Sequence, residues 1–480
     1  MRRSIQVIVA VSAIAALVLA VSSVQAQQND APPKAPVREF PPLISGPGSQ
    51  DESMPVKSPS DLVPDDRPLT GIQQFTLGSE DFSHSYWVPG FQFAELAGSN
   101  NPGGTKPDQW GETSYFVGTM SMLKAWRHSR LMLNYTGGGA LTNASGVPNS
   151  QYHQLGVTQQ FQWARWQLLF LDQFSYLPTT AFGFGGATSL TTPGVGGSLG
   201  GNLPGLQPNM SPNQSLFNAT GPQYNNSSSA QIAYTVSPRT SLTVAASFAI
   251  QRFAQSGNIE SNDAILTAGY NYVLTRKDTL GIVYTYSALR FLGNPQAFND
   301  HTPGIAYGRK ITGRLGLQLF GGPEITIYRH PIGTTTNRVS GSGRATLVYQ
   351  FPRTSVHLSY NHTLTNGSGV LAGADTDQVS VQLSRQMARR WQGNVDFGYA
   401  RNGIIGNLAA PGRSQIYNSW YGTAGINHLV GRTTNFNLGY TVQHQDSNQA
   451  FCATTACGTS FLQHQISLGI QWHSRPFVIR

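Results

Sequence analysis

From about residue 84 onward, the chain is a succession of segments in which apolar and polar residues alternate. Leu242, Val244, Ala246, Phe248 and Ile250 interleave with Ser241, Thr243, Ala245, Ser247, Ala249 and Gln251. Val356, Leu358 and Tyr360 stand against His357, Ser359 and Asn361; Val379, Val381 and Leu383 stand against Gln378, Ser380, Gln382 and Ser384. Phe436, Leu438, Tyr440 and Val442 alternate with Asn435, Asn437, Gly439, Thr441 and Gln443, and Ile466, Leu468, Ile470 and Trp472 with Gln465, Ser467, Gly469 and Gln471. Successive side chains on a strand point to opposite faces. Each segment is therefore expected to be a strand with one greasy face and one polar face.

The punctuation between segments has two kinds. Short, often Arg-bearing turns fall at Trp126–Arg130, Trp163–Arg165, Ser237–Thr240, Thr275–Asp278, Ile311–Arg314, Phe351–Thr354, Ala388–Trp391 and Val430–Thr433. Between them lie longer Gly/Asn/Pro-rich stretches such as 137–150 and 402–414. Short turns at one end and long loops at the other are the wiring of a transmembrane antiparallel up-and-down β-barrel. Pairing strands around these turns predicts about 18 strands, with about 16 if the first segment, broken by Pro89 and Gly90, does not form. Both termini then lie on the periplasmic side.

Composition favours the membrane over a soluble sandwich. Only 11% of residues are charged, against about 25% in ordinary soluble domains. The polar faces carry Ser, Thr, Gln, Asn and Gly, which suits a wet lumen with the greasy face toward lipid. No run after residue 26 approaches the roughly 20 apolar residues of a membrane helix. Trp126, Trp163, Trp166, Trp391, Trp420 and Trp472 sit near segment ends, as interfacial girdles require.

The N-terminus predicts export. Arg2 and Arg3 precede the apolar stretch Ile5–Val21, and Val24–Gln25–Ala26 is a usable cleavage site, so residues 1–26 are expected to be a signal peptide. Residues 27–83 are expected to be a Pro-rich disordered periplasmic segment, and 84–480 the barrel. Cys452 and Cys457, the chain's two cysteines, are expected to form a disulfide in the oxidising compartment.

The inner turns Ser237–Pro238–Arg239–Thr240–Ser241 and Phe351–Pro352–Arg353–Thr354–Ser355, with the hairpins they join, resemble Gram-negative outer-membrane β-barrel proteins of the porin type. The resemblance is architectural, spans roughly residues 84–475 and identifies no sub-family. It implies insertion by the barrel-assembly machinery and passive solute diffusion. Where such proteins often end in Phe, Phe477 is followed here by Val478–Ile479–Arg480, so the assembly signal is expected at Trp472 or Phe477.

Catalytic motifs do not emerge. Gly196–Gly200 matches G-x-S-x-G but lies in a Gly-rich loop without the strand–turn–helix of a nucleophile elbow. His357 and His362 fall on opposite faces of one strand, and Asp375 and Asp377 share a face at a loop–strand junction, read as a solvated acidic loop. A plugged active transporter needs a folded plug that the Pro-rich segment cannot supply. The uncharged stretch 178–226 is the longest loop, expected either to fold into the lumen or to hang outside.

Charge suggests selectivity. The formal net charge is +9, and charges within the bilayer should face the lumen or its rim. The candidate pore-lining residues are Arg252, Arg290, Arg344, Arg385, Arg401, Gln251, Asn361, Gln382, Asn437 and Gln471. The expected function is an outer-membrane porin-like channel for small hydrophilic solutes, leaning toward anions, with no catalysis, cofactor, metal or nucleic-acid partner. Outer-membrane lipid is its surroundings and a homo-oligomer its open alternative to a monomer. The competing functions are a non-conducting scaffold barrel and, less favoured, a barrel hydrolase.

Overall fold

The computed structural model describes residues 85–99, 110–143, 149–177, 222–254, 258–293, 296–329, 335–369, 371–405, 416–431, 433–447 and 460–478. The first six long strands are β1 (Tyr86–Gly98), β2 (Gly111–Ala125), β3 (Ser129–Thr142), β4 (Ser150–Gln162), β5 (Trp166–Leu177) and β6 (Gln223–Ser237). There follow β7 (Thr240–Phe253), β8 (Ser261–Val273), β9 (Asp278–Phe291), β10 (Ala297–Thr312), β11 (Leu315–Arg329) and β12 (Thr335–Gln350). The circuit continues with β13 (Thr354–Thr365), β14 (Ala374–Ala388), β15 (Trp391–Ile404), β16 (Ile416–Leu429), β17 (Thr434–Ser447) and β18 (Ser460–His473). Each pairs antiparallel with its neighbours in sequence, and β1 pairs with β18 from Gly90↔His473 to Gly98↔Gln465. The result is a closed antiparallel barrel of eighteen strands among the described residues. A two-residue strand, β19 (Phe477–Val478), extends the seam onto Tyr86 and Trp87.

The first strand forms despite Pro89 and Gly90. Pro89 keeps its acceptor, and the Ser474 amide donates to its carbonyl at 2.9 Å. Gly90 lies where β1 meets both neighbours; a Cβ there would stand 2.6 Å from the Trp472 carbonyl oxygen, a close approach only glycine allows.

Hairpin bonds close the short turns: the Trp126 amide donates to Ser129, Trp163 to Trp166 and Phe351 to Thr354, at 2.7–2.8 Å. At the opposite end the strands run further than the loop composition suggested. β3 continues to Thr142, β15 to Ile404, and β6 begins at Gln223, so the expected loops 137–150, 402–414 and 178–226 are shortened. Ladder bonds use only main-chain groups. Gly137, Gly138 and Gly139 accordingly pair with His153, Tyr152 and Gln151 despite their turn-like composition.

The barrel is inverted relative to a soluble protein. Gln251 is 2% exposed, whereas Ile282 is 67% exposed. Other inward positions hold Gln92, Thr119, Gln154, Gln231, Thr243 and Gln463, all buried. Outward positions hold Phe248, Leu266, Leu438 and Leu468, all exposed. An aqueous medium would strongly disfavour so many exposed apolar side chains, while hydrocarbon removes that cost. The outward band spans a membrane. Trp126, Trp163, Trp166, Trp391 and Trp472 are exposed at the short-turn ends of their strands, at the inner interface.

Candidate functional site

Register assigns every strand residue to a face, because directly paired residues point the same way. Ser247 and Ile265 pair across β7 and β8, and Thr302 and Thr285 across β10 and β9, so their whole i±2 rows face inward. Gln251, Arg344, Asn361, Gln382, Asn437 and Gln471 lie on inward rows. Inward hydroxyls meet across strands, with Thr423–Thr441 and Thr267–Thr285 each 3.3 Å apart.

Four of the candidate arginines face the other way. Arg252 shares its row with Leu242, Val244 and Phe248, and Arg290 shares its row with Leu280, Ile282 and Tyr284. Arg385 stands with Val381 and Leu383, and Arg401 with Phe397 and Tyr399. They do not line the lumen. All four are near strand ends, where the cost of a lipid-facing charge falls from about 2–4 kcal/mol at the midplane to about 0–1 kcal/mol. The energetic reason for turning them inward is absent there.

The inward charges are therefore few. Among the described strands, the inward carboxylates are Asp263 on β8, Asp300 on β10, Glu324 on β11 and Asp396 on β15; all but Asp263 are less than a tenth exposed. Arg344 on β12 lies in the same zone, its guanidinium 5.7 Å from the centre of the Phe320 ring. Arg130 and Lys310 share inward rows near the inner turns. Arg338 stands opposite inward Thr326 at the outer end and forms an ion pair with Asp375. Asp300 accepts from Thr302 Oγ1 at 2.7 Å and from Thr326 Oγ1 at 3.1 Å. Glu324 accepts from Ser340 Oγ at 3.0 Å and from the Leu364 amide at 3.2 Å.

That last bond marks a departure in the wall. The β12–β13 ladder runs only between Gly343↔His362 and Gln350↔Ser355. Beyond it, Ser342 Oγ donates to the His362 carbonyl at 3.1 Å, and Glu324 takes the Leu364 amide. Leu364 then packs against Leu289, Phe291, Phe298 and Tyr328, which belong to the inner faces of β9–β11. The outer end of β13 leaves the wall.

The described part of the connection that follows, residues 366–369 and 371–373, folds into the mouth. Asn366 Nδ2 donates to Gln251 Oε1, Ser261 Oγ and Asp263 Oδ2 at 3.3, 3.2 and 2.9 Å, on β7 and β8. The Ile259 amide donates to the Gly369 carbonyl at 2.8 Å. Gly367, Gly369 and Gly373 have φ of +72°, +80° and +84°, a region that L side chains avoid. A Cβ on Gly369 would sit 2.1 Å from the Phe253 ring. Beneath the connection lies a cavity of about 70 Å³ bordered by Asp263, Asp300, Thr302, Arg344 and Asn366, room for a few waters. Sequence composition pointed to 178–226 as the loop able to narrow the lumen. Residues 178–221 lie outside the described residues, and the inward fold is seen at 366–369 and 371–373. The three glycines and the small residues Ala372 and Ala374 were the available signal.

Tyr360, His362, Asp375 and Asp377 gather on the outward side of β13 and β14. The two acids are strand residues of β14 rather than loop residues. His362 Nδ1 lies 2.7 Å from Asp377 Oδ1, and Nε2 lies 3.6 Å from Asp375 Oδ1. With a carboxylate at each ring nitrogen, this histidine is not free to activate a nucleophile. His357, five positions back, faces inward. Among the described residues no group of three His, Cys, Asp or Glu side chains is placed to hold a metal ion. Cys452, Cys457, the signal segment and the Pro-rich segment lie outside the described residues.

No protein-family model matches the chain, and no curated protein matches it in sequence. Solved structures that resemble it include OpdQ from Pseudomonas aeruginosa, at 11% identity and a TM-score of 0.41, covering 82% of this chain and 100% of that one. OccAB3 from Acinetobacter baumannii aligns at 11% identity and a TM-score of 0.40, covering 82% and 99%. The FrpB iron transporter from Neisseria meningitidis aligns at 8% identity and a TM-score of 0.37, covering 82% and 83%. Likeness this slight transfers neither solute nor mechanism.

Proposed function

We propose that this protein is an outer-membrane channel for passive diffusion of small hydrophilic solutes, narrowed at its outer mouth by the connection that Asn366 begins. The observation that carries this reading is the inversion of faces: Gln, Ser, Thr and Asn inward, Leu, Ile, Val, Phe and Tyr outward. Barrels of 16–18 strands are wide enough to enclose water, and a lumen lined with neutral hydrogen-bonding groups solvates small polar molecules. Insertion by the barrel-assembly machinery belongs to the same reading.

The charge preference belongs to this proposal as well. An anion lean needed several arginines in the lumen, and four of the five candidates face lipid. Arg130 and Lys310 stand near the inner turns and Arg338 is paired with Asp375. Deeper in the lumen, Asp263, Asp300, Glu324 and Asp396 against Arg344 argue for a mild lean toward cations. Single-channel recording in a planar bilayer tests both statements: discrete steps are expected, with a reversal potential in a salt gradient of cation-selective sign. A silent but folded barrel would refute the channel.

The second reading, a non-conducting scaffold barrel, is favoured by one observation. Asn366 ties the inward connection to β7 and β8, with a cavity of about 70 Å³ beneath it. Deleting residues 366–373 separates the two: steps that appear only after deletion would mean the mouth is closed at rest.

A further inference from the structure

The outward arginines share a depth. Arg252, Arg290 and Arg329 each follow an outward-facing leucine by the same interval: Leu242, Leu280 and Leu319. All three leucines are exposed near the inner turns. Ten residues at about 3.3 Å each, on a strand tilted about 40°, rise roughly 25 Å. That is about the height of the apolar band of such barrels, so the arginines stand where hydrocarbon gives way to the headgroups of the outer leaflet. Arg401 follows Trp391 in the same way on β15.

Two of these four are already compensated. Arg252 Nε lies 3.6 Å from Glu260, and Arg401 is directly opposite Asp377. Arg290 and Arg329 have no carboxylate partner among the described residues. Both are paired with Ala297 of β10, one from each side. They therefore straddle a single methyl group, with their Cα atoms about 10 Å apart across the intervening strand.

Arg290 is also held in place. Its Nη1 donates to the carbonyls of Leu289 and Phe298 at 3.0 and 2.7 Å, and its Nη2 donates to Asn299 Oδ1 at 2.6 Å. Asn299 takes a further bond from the Tyr286 hydroxyl at 3.4 Å, and the Tyr284 hydroxyl lies 2.7 Å from His301 Nδ1 just below. A guanidinium with three fixed bonds retains donors for an anion and has lost most of its conformational freedom beforehand.

We propose that the outward face of β9–β11 binds the phosphate headgroup of an outer-leaflet glycolipid, gripped by Arg290 and Arg329 above Ala297. Two guanidinium groups facing one small residue match the geometry of phosphate, which arginine binds bidentately. A lipid-borne phosphate rather than a free one fits the place, because the row beneath is apolar and receives acyl chains. The site rests on the barrel spanning the outer membrane and is independent of conduction.

The test is native mass spectrometry of the purified full chain in detergent, with lipid A, dephosphorylated lipid A and inorganic phosphate as probes. Lipid A adducts are expected on the wild type and should fall roughly thirtyfold in R290Q/R329Q, given two basic contacts near the headgroup. R252Q, whose arginine is already paired, should retain them, and R290K/R329K should retain part. Heat-modifiable migration on a gel verifies that each variant is folded. Equal adducts on wild type and R290Q/R329Q, or equal binding of dephosphorylated lipid A, would overturn the proposal. Displacement of lipid A by equimolar inorganic phosphate would overturn its lipid source. Single-channel conductance of R290Q/R329Q is expected to match the wild type; a folded wild type that carries lipid A adducts but shows no conductance would count against the channel reading alone.

Discussion

The side-chain amide of Asn366, at the start of the connection between β13 and β14, donates to the carboxylate of Asp263 on β8 at 2.9 Å. The bond joins the connection to the far side of the stretch of wall formed by β9–β12. It is the shortest of the three contacts that Asn366 makes across the mouth.

Removing that anchor should widen the mouth. Asn366→Ala takes away all three bonds and leaves half-buried Asp263 with one donor fewer, a cost of about 1 kcal/mol. The variant is expected to show larger and noisier single-channel steps than the wild type, read in a planar bilayer. Unchanged conductance would mean that residues 366–373 do not narrow the path.

Glycine 369 should be intolerant of any side chain. Alanine at φ +80° costs about 1–2 kcal/mol, and its Cβ would meet the Phe253 ring. The eighteen-strand wall does not depend on that seat, so Gly369→Val should still fold. Its connection should be cut faster than wild type by a protease added from outside, with the barrel fragment intact.

Selectivity should move in opposite directions at two inward sites. Arg344→Gln removes the inward cation over Phe320 and is expected to make the reversal potential more cation-selective. Asp300→Asn and Glu324→Gln, separately, are expected to move it toward anions. Shifts of the same sign in both classes would show that ions do not pass these side chains.

Adjacent positions on β7 should differ sharply. Phe248→Arg puts a charge on the lipid face near mid-depth and should cost about 2–4 kcal/mol. Ser247→Arg, one residue earlier, points into the lumen and should cost well under that. Urea-dependent refolding into phospholipid vesicles reads both, and equal costs would contradict the assignment of faces.

What the sequence determined by itself was local and periodic. The alternation of Leu242–Ile250 with Ser241–Gln251 specifies a strand and tells its greasy face from its polar one. Repeated along the chain with short Arg-bearing turns, it implies a closed membrane barrel, and the strand number followed from counting turns. His357 and His362 were likewise separable, because their spacing alone puts them on opposite faces. Tertiary structure decided what depends on register and distance. Arg252 and Arg385 continue the greasy rows of Leu242–Ile250 and Val379–Leu383, one step past Gln251 and Ser384, so their alternation already pointed outward. Arg290 and Arg401 lie near strand ends where polar and apolar neighbours thin out, and pairing with neighbouring strands assigns them. The narrowing connection was less legible still. Asn366 meets Gln251 and Asp263 across separations of 115 and 103 residues, and no local pattern encodes a contact made by closing the barrel on itself. Alternation is written residue by residue, whereas a bond across the mouth exists only once every intervening strand is in place.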